Sequence, residues 1–142
     1  MRTAFTDSEL FDLIPQRPPI VMVDSLRNVT ETEAETGLTI RATNIFLHNG
    51  HLQEPGLIEH IAQSAAAFAG FKGYALGEAP KLGYIGEIKK LRIHSLPEDG
   101  QTLSTKLRVL GEAVGVTLLA AETKVGEEMV AEGQMKIFLK ED

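Results

Sequence analysis

Residues 50–67 decide the fold of this chain: Gly50-His51-Leu52-Gln53-Glu54-Pro55-Gly56-Leu57-Ile58-Glu59-His60-Ile61-Ala62-Gln63-Ser64-Ala65-Ala66-Ala67. The Pro-Gly step in this stretch begins a helix that we expect to cover about residues 55–74. Small or apolar residues occupy nearly every side of the helix, which is typical of a buried helix. Glu59, Gln63 and His51 lie at its start, and ionisable groups in such places are either paired or functional.

The composition narrows the class of protein. A chain of 142 residues with 43% hydrophobic content predicts one globular domain over residues 1–142. No apolar run reaches the roughly 18 residues of a membrane span, and residues 1–15 lack the pattern of a signal peptide. The absence of cysteine excludes disulfides, thiol catalysis and zinc–thiolate sites, and a cytoplasmic location is expected. A net charge of -6 argues against nucleic acid as a partner.

The predicted elements fall into a helical part followed by long strands. A capping-box pattern at residues 6–9 predicts a short amphipathic first helix. Short strands are expected at residues 20–24 and 35–43, before the long helix. After it, strands are expected at residues 82–94, 101–111, 114–124 and 128–139, with turns at 97–100, 111–113 and 126–127. Because consecutive long strands have no helices between them, the order favours an α+β fold with an antiparallel sheet around one apolar helix.

Four segments of the chain occur in the order of a known family. They are Ile14-Pro15-Gln16-Arg17-Pro18-Pro19-Ile20-Val21-Met22-Val23-Asp24, the step Gly50-His51, the helix segment Glu59-His60-Ile61-Ala62-Gln63, and the strand and turn from Leu91-Arg92 to Leu96-Pro97-Glu98-Asp99-Gly100-Gln101. In this order the segments resemble the hot-dog fold, specifically the 3-hydroxyacyl-acyl carrier protein dehydratases. The resemblance covers nearly the whole chain and implies an enzyme of fatty acid, lipid or polyene biosynthesis.

The resemblance also implies a chemistry without metal or redox cofactor. Loss of water from a 3-hydroxyacyl thioester needs a base for the C2 proton and an acid for the C3 hydroxyl, and it leaves a trans-2-enoyl thioester. His51 suits the base, because histidine titrates near neutral pH, and Glu59 the acid. The amides of residues 56–58 (Gly56, Leu57, Ile58) would hold the thioester oxygen at the helix start, and Gln63 would line the substrate site. In the family the histidine and the glutamate meet across a dimer interface, so a homodimer is expected.

One departure from the family keeps other functions open. His51 and Glu59 are only eight positions apart, a shorter interval than in the dehydratases. A hot-dog thioesterase, in which Glu59 activates water without a histidine, is one alternative. A non-catalytic acyl-binding hot-dog protein is the other. His48 lies on the same loop as His51, and a surface role explains it. His60 is next to Glu59 in the sequence, and pairing with Glu59 or with the backbone explains it.

A basic cluster interrupts the acidic chain at Lys89, Lys90 and Arg92, with Lys81 upstream. Strand alternation would place Lys90 and Arg92 on one face. An acidic acyl carrier protein, or the phosphates of coenzyme A, would be attracted to such a patch. A solvated strand edge protected by lysines explains the same residues.

Overall fold

One long helix and a set of antiparallel strands make up the computed structural model, which describes residues 4–77 and 83–139. The helix is α1 (Glu54–Ala75), and a 3₁₀ helix covers Asp7–Asp12. The strands are β1 (Phe5–Thr6), β2 (Ser25–Arg27), β3 (Glu33–Thr39), β4 (Leu47–His48), β5 (His51–Leu52), β6 (Gly83–Ile93), β7 (Thr102–Ala113), β8 (Val116–Val125) and β9 (Glu128–Leu139).

Seven strands form one antiparallel sheet in the order β1-β2-β3-β7-β8-β9-β6, and β4 and β5 form a separate hairpin. Residues of β7 alternate between buried and exposed: Leu103, Thr105 and Leu107 are buried, and the residues between them are exposed. Such alternation belongs to a sheet with one covered face. The predicted α+β class and the wrapped helix are therefore confirmed.

Helix α1 covers the inner face of the sheet. Its alanines and Phe68 enter the main apolar core with Leu107, Leu119 and Met135 of the sheet. The helix begins with Pro55 in its first turn and ends one residue beyond the predicted Tyr74. Gly70 lets helix α1 pack closely against the backbone of Leu13, because a Cβ atom at residue 70 would lie only 2.0 Å from the carbonyl oxygen of Leu13. No sequence pattern indicates this contact.

Two predictions for the first third of the chain need correction. The first helix begins at the predicted capping box, where Thr6 N donates to Glu9 Oε1 at 2.9 Å, but it is a 3₁₀ helix. Residues 20–24 are not a strand, and β2 begins only at Ser25. The reason is that side chains of α1 take the polar backbone groups of residues 20–22, which a neighbouring strand would otherwise bind.

The later boundaries agree better with the sequence. The strand predicted at residues 35–43 covers Glu33–Thr39, since the chain turns away at residues 41–44. The four strands of the second half match the predictions within two residues. The turn predicted at residues 111–113 was wrong, because β7 continues to Ala113 and the hairpin turns at Val114-Gly115, where Gly115 has a φ of +74°.

Candidate active site

A tight hairpin presents His51. Strands β4 and β5 are joined by Asn49 and Gly50, whose φ values of +52° and +78° are those of a two-residue turn with both central residues left-handed. Asn-Gly is the preferred sequence for that turn. His48 and His51 flank it as directly opposed partners. An ordered hairpin directly before α1 therefore carries His51.

This hairpin is bound to the turn at residues 97–100. His51 and Glu98 form an antiparallel bridge. Leu52 N donates to Pro97 O at 2.8 Å, and Asp99 N donates to Gly50 O at 3.0 Å. These backbone bonds fix the Cα position of His51 relative to the main sheet, because the same turn leads directly into β7.

The ring of His51 has a partner on each nitrogen. Nδ1 lies 3.1 Å from Asn49 O, and since a carbonyl oxygen only accepts, Nδ1 carries the hydrogen. Nε2 lies 3.5 Å from Glu98 Oε1. The His51 side chain is 45% exposed, so a substrate has access to it. Of the two neutral tautomers, the bond to Asn49 favours the one in which Nε2 accepts, the form that a general base requires.

Glu59 lies on the second turn of α1 and is half-buried. Gln63, one helical turn further on, donates through Nε2 to Glu59 Oε1 at 2.8 Å. The same amide nitrogen donates to Ile20 O at 2.8 Å, and Met22 N donates to Gln63 Oε1 at 2.5 Å. Because these two backbone bonds allow only one orientation of the amide, Gln63 must point an N–H at Glu59.

The amide of Gln63 is satisfied within the chain. Both hydrogens of its amide nitrogen are used, one by Ile20 and one by Glu59. Gln63 thus holds the Glu59 carboxylate and the segment formed by residues 20–22. Its place in the lining of the substrate site remains a prediction.

His60 is fully buried beneath the same segment. Its Nδ1 donates to Met22 O at 2.7 Å, and Nε2 accepts from Thr105 Oγ1 at 2.7 Å, which in turn accepts from Thr123 Oγ1 at 2.7 Å. Burial lowers the pKa of His60 to about 4, although the bond to Met22 and the charge of Asp24 act in the opposite direction. His60 is therefore neutral and holds residues 20–22 against α1. The sequence indicated pairing for this residue but not its complete burial.

The start of α1 is less open than the sequence suggested. Gly56 N donates to Gln53 O at 2.9 Å, and Leu57 N donates to the same oxygen at 3.2 Å. A Cβ atom on Gly56 would lie 2.7 Å from the Cβ atom of Phe46, so packing within the chain explains this glycine. Binding of a thioester oxygen by the amides of Gly56, Leu57 and Ile58 remains a prediction. It requires that the bonds of Gly56 and Leu57 to Gln53 O, and the helical bond expected at Ile58, be shared or replaced.

The basic cluster lies at a bulge of β6. Lys89 pairs with Gln134 and Arg92 with Glu132, so Lys90 and Leu91 together face a single residue of β9, and Lys90 has a φ of +53°. Lys89 and Arg92 therefore share a face, and the alternation that would have aligned Lys90 with Arg92 is broken. Lys81 lies outside the described residues.

Within residues 4–77 and 83–139, no group of three or more His, Asp or Glu side chains is arranged to hold a metal ion. No helix in the same part of the chain has the length and apolar content to cross a membrane.

Comparison with characterised proteins identifies the family. The family model described as ApeP-like, ApeP dehydratase, matches residues 8–142. The chain is similar to the 3-hydroxyacyl-[acyl-carrier-protein] dehydratase FabZ of Clostridioides difficile, with 28% identity over 94% of this chain and 96% of that protein. FabZ of Vibrio cholerae is 25% identical over 94% and 91% of the two chains.

Solved structures share the fold. A chain of the dehydratase heterocomplex ApeI:P from Xenorhabdus doucetiae has a TM-score of 0.86 and 19% identity, covering 94% of this chain and 91% of that one. The virulence protein Cj0977 from Campylobacter jejuni has a TM-score of 0.71 and 12% identity over 95% and 90%. The predicted hot-dog fold and the expected dehydratase class are confirmed, and the chain belongs to the ApeP-like dehydratase family.

Proposed function

We propose that this protein removes water from 3-hydroxyacyl thioesters and releases trans-2-enoyl thioesters. The observation that carries the proposal is the Glu59 carboxylate, fixed by Gln63 near the start of a buried helix in a chain matched to a dehydratase family over residues 8–142. The names of the curated relatives support an acyl group borne on acyl carrier protein. Coenzyme A is the other thioester carrier with the same reacting group. Fatty acid or polyene synthesis is the pathway proposed.

His51 is the proposed base. Nε2 takes the C2 proton, and the electron pair of the broken C–H bond moves toward the thioester carbonyl. The hydrogen bond from Nδ1 to Asn49 O supports this role, because it holds the tautomer in which Nε2 is free to accept.

Glu59 is the proposed acid. Its carboxyl group donates a proton to the C3 hydroxyl as the C3–O bond breaks, so that water leaves and the C2–C3 double bond forms. Each turnover moves one proton onto His51 and one away from Glu59, and the enzyme returns to its starting state when a proton passes back. The bond from Gln63 Nε2 holds the carboxylate in one orientation throughout.

We also propose a homodimer in the cytoplasm in which His51 of one subunit works with Glu59 of the other. Strand β6 is an edge of the sheet and pairs only with β9 among the described strands, so its other side is available to a second chain. Ile88 on this strand is 37% exposed despite facing inward toward Met135, which supports a covering partner.

The carrier is proposed to approach the face shared by Lys89 and Arg92. Lys89, Lys90 and Arg92 are close together in a chain of net charge -6, and an acidic carrier protein or a phosphate would be attracted to them. Glu132, opposite Arg92, reduces the positive charge of the patch. Salt should therefore raise KM for the carrier substrate more than it changes kcat.

The test is incubation of the purified dimer with 3-hydroxyacyl thioesters of several chain lengths, on acyl carrier protein and on coenzyme A, followed by mass spectrometry. A loss of one water on the intact thioester supports the proposal, as does gain of one water by the trans-2-enoyl substrate. Release of free thiol would make the protein a thioesterase. No change on any of these substrates would contradict the proposal and favour an acyl-binding role.

A further inference from the structure

We propose that Glu98 is the charge partner of His51, a positioning residue that stabilises the protonated ring formed when His51 takes the C2 proton. This inference rests on the proposed function. It assigns a task to a carboxylate that the dehydration chemistry itself does not use.

The backbone around Glu98 is fixed independently of its side chain. Glu98 bridges to His51, and Glu98 N donates to Gln101 Oε1 at 2.7 Å. Gln101 N closes the turn by donating to Glu98 O at 3.1 Å, and Gly100 N donates to Ile40 O at 2.7 Å. Directly opposed residues of an antiparallel pair project their side chains to the same side. The fold therefore aims the Glu98 carboxylate at the ring, and a change of its side chain leaves these backbone bonds in place.

The distances suit a charge partner rather than a permanent hydrogen bond. Oε1 of Glu98 lies 3.5 Å from Nε2 of His51, within the range of an ion pair but beyond a good hydrogen bond. The lone pair on Nε2 therefore stays available for the C2 proton. Once the proton has moved, Nε2–H is a donor beside a carboxylate, and the pair becomes a charge-assisted hydrogen bond.

Such a partner would stabilise the charge that develops on the ring. The C2–H bond breaks, its electrons enter the developing enolate, and the proton leaves a positive charge on the ring. The other ring nitrogen already donates to a carbonyl oxygen, which adds no negative charge. Glu98 supplies one, and because its side chain is 64% exposed, it also offers the proton a route to water before the next turnover.

The chain contains a control for the loss of one surface charge. Lys72 and Glu112 form another exposed ion pair, with Nζ 3.0 Å from Oε1 and side chains 46% and 51% exposed. This pair links α1 to β7 and lies outside both the proposed acid–base pair and the proposed carrier patch. Glu112→Gln removes the same charge from a similar exposed pair, so it reports any general effect of net charge or surface stability.

The experiment is a double-mutant cycle on purified full-length protein with a 3-hydroxyacyl thioester of acyl carrier protein. The variants are Glu98→Gln, His51→Ala, the two combined, Glu98→Asp and Glu112→Gln. For an exposed pair we expect Glu98→Gln to lower kcat about two- to fivefold at constant KM. Glu98→Asp should recover part of the loss, and Glu112→Gln should behave as wild type. Melting temperatures of all single variants should agree within about 2 °C.

The double-mutant cycle tests the role of Glu98 separately from the dehydratase function and from the assignment of His51 as the base. In the His51→Ala background, Glu98→Gln should have no further effect, because a positioning residue acts only through its partner. Undiminished kcat in Glu98→Gln would overturn the inference and leave the function standing, and so would an equal loss in both backgrounds. If His51→Ala abolishes measurable turnover, comparison of kcat between Glu98→Gln and Glu112→Gln decides alone. Full activity in His51→Ala would overturn both the inference and the assignment of the base.

Discussion

Acidification should destabilise this protein through His60. In the folded chain, burial holds the pKa of His60 at about 4, whereas an exposed histidine has the model value of 6.5. Between these two pH values the unfolded chain binds a proton at this position and the folded chain does not. The contribution of His60 to stability is therefore fully present above pH 6.5, decreases as the pH falls, and has been lost near pH 4.

The size of the effect follows from the two pKa values. The interval from 6.5 to about 4 corresponds to about 3 kcal/mol of unfolding free energy. That is a substantial part of the roughly 5–15 kcal/mol that stabilises a typical domain. Protonation at Nε2 would also turn the acceptor for Thr105 into a donor, so the chain of hydrogen bonds to Thr123 would have to reorganise.

The measurement is urea unfolding, followed by far-ultraviolet circular dichroism, at several pH values between 4 and 7.5. His60→Asn removes the titrating group, and His94→Gln removes a half-exposed histidine as the matched control. We expect the free energy of wild type and His94→Gln to fall more steeply toward low pH than that of His60→Asn. A nuclear magnetic resonance titration of His60 in the folded wild type gives the same answer without a variant. Protonation of the His60 ring near pH 6.5 in the folded protein would show that burial does not lower its pKa.

Three further changes test the packing of the site. Gln63→Leu removes the bond that holds Glu59, and we expect kcat to fall by at least about tenfold; an unchanged kcat would mean that Glu59 needs no such support. Gly56→Ala puts a Cβ atom into occupied space and should cost about 1–3 kcal/mol in thermal unfolding, whereas Gly111→Ala, with open space around it, should be nearly neutral. Equal melting temperatures for these two variants would contradict the packing argument. Gly50→Ala strains a φ of +78° and should cost about 1 kcal/mol, together with a loss of kcat from displacement of His51; full activity would show that the hairpin does not position the ring.

The elements with a regular sequence pattern, which are the long strands and the apolar helix, could be predicted from the sequence. Buried residues alternate with more exposed ones over residues 102–108 of β7 and 119–124 of β8, and turn residues separate the long strands, so their limits came within two residues. The apolar helix was recognisable because small residues occupy almost all of its sides. The segment of residues 20–24 was mistaken for a strand, since an apolar run does not reveal that its backbone binds helix side chains.

The site was less accessible to sequence reasoning, because its geometry depends on contacts between distant residues. The bonds of Gln63 to Ile20 and Met22 join it to a segment about forty positions away, and no local pattern indicates them. Glu98 was counted only as a turn residue, and nothing local indicates that it opposes His51. The Asn-Gly step was a usable signal, since it predicts a two-residue hairpin directly before the candidate base.

We propose that Glu59 and His51 carry out dehydration as acid and base. The most direct test is single-turnover conversion of a 3-hydroxyacyl thioester of acyl carrier protein by wild type, Glu59→Gln and His51→Ala, followed by mass spectrometry of the intact acyl carrier. We expect wild type to remove one water. Each variant should do so at least about a hundredfold more slowly while keeping the fold and the oligomeric state of wild type. Dehydration at the wild-type rate in Glu59→Gln would contradict the assignment of Glu59 as the acid.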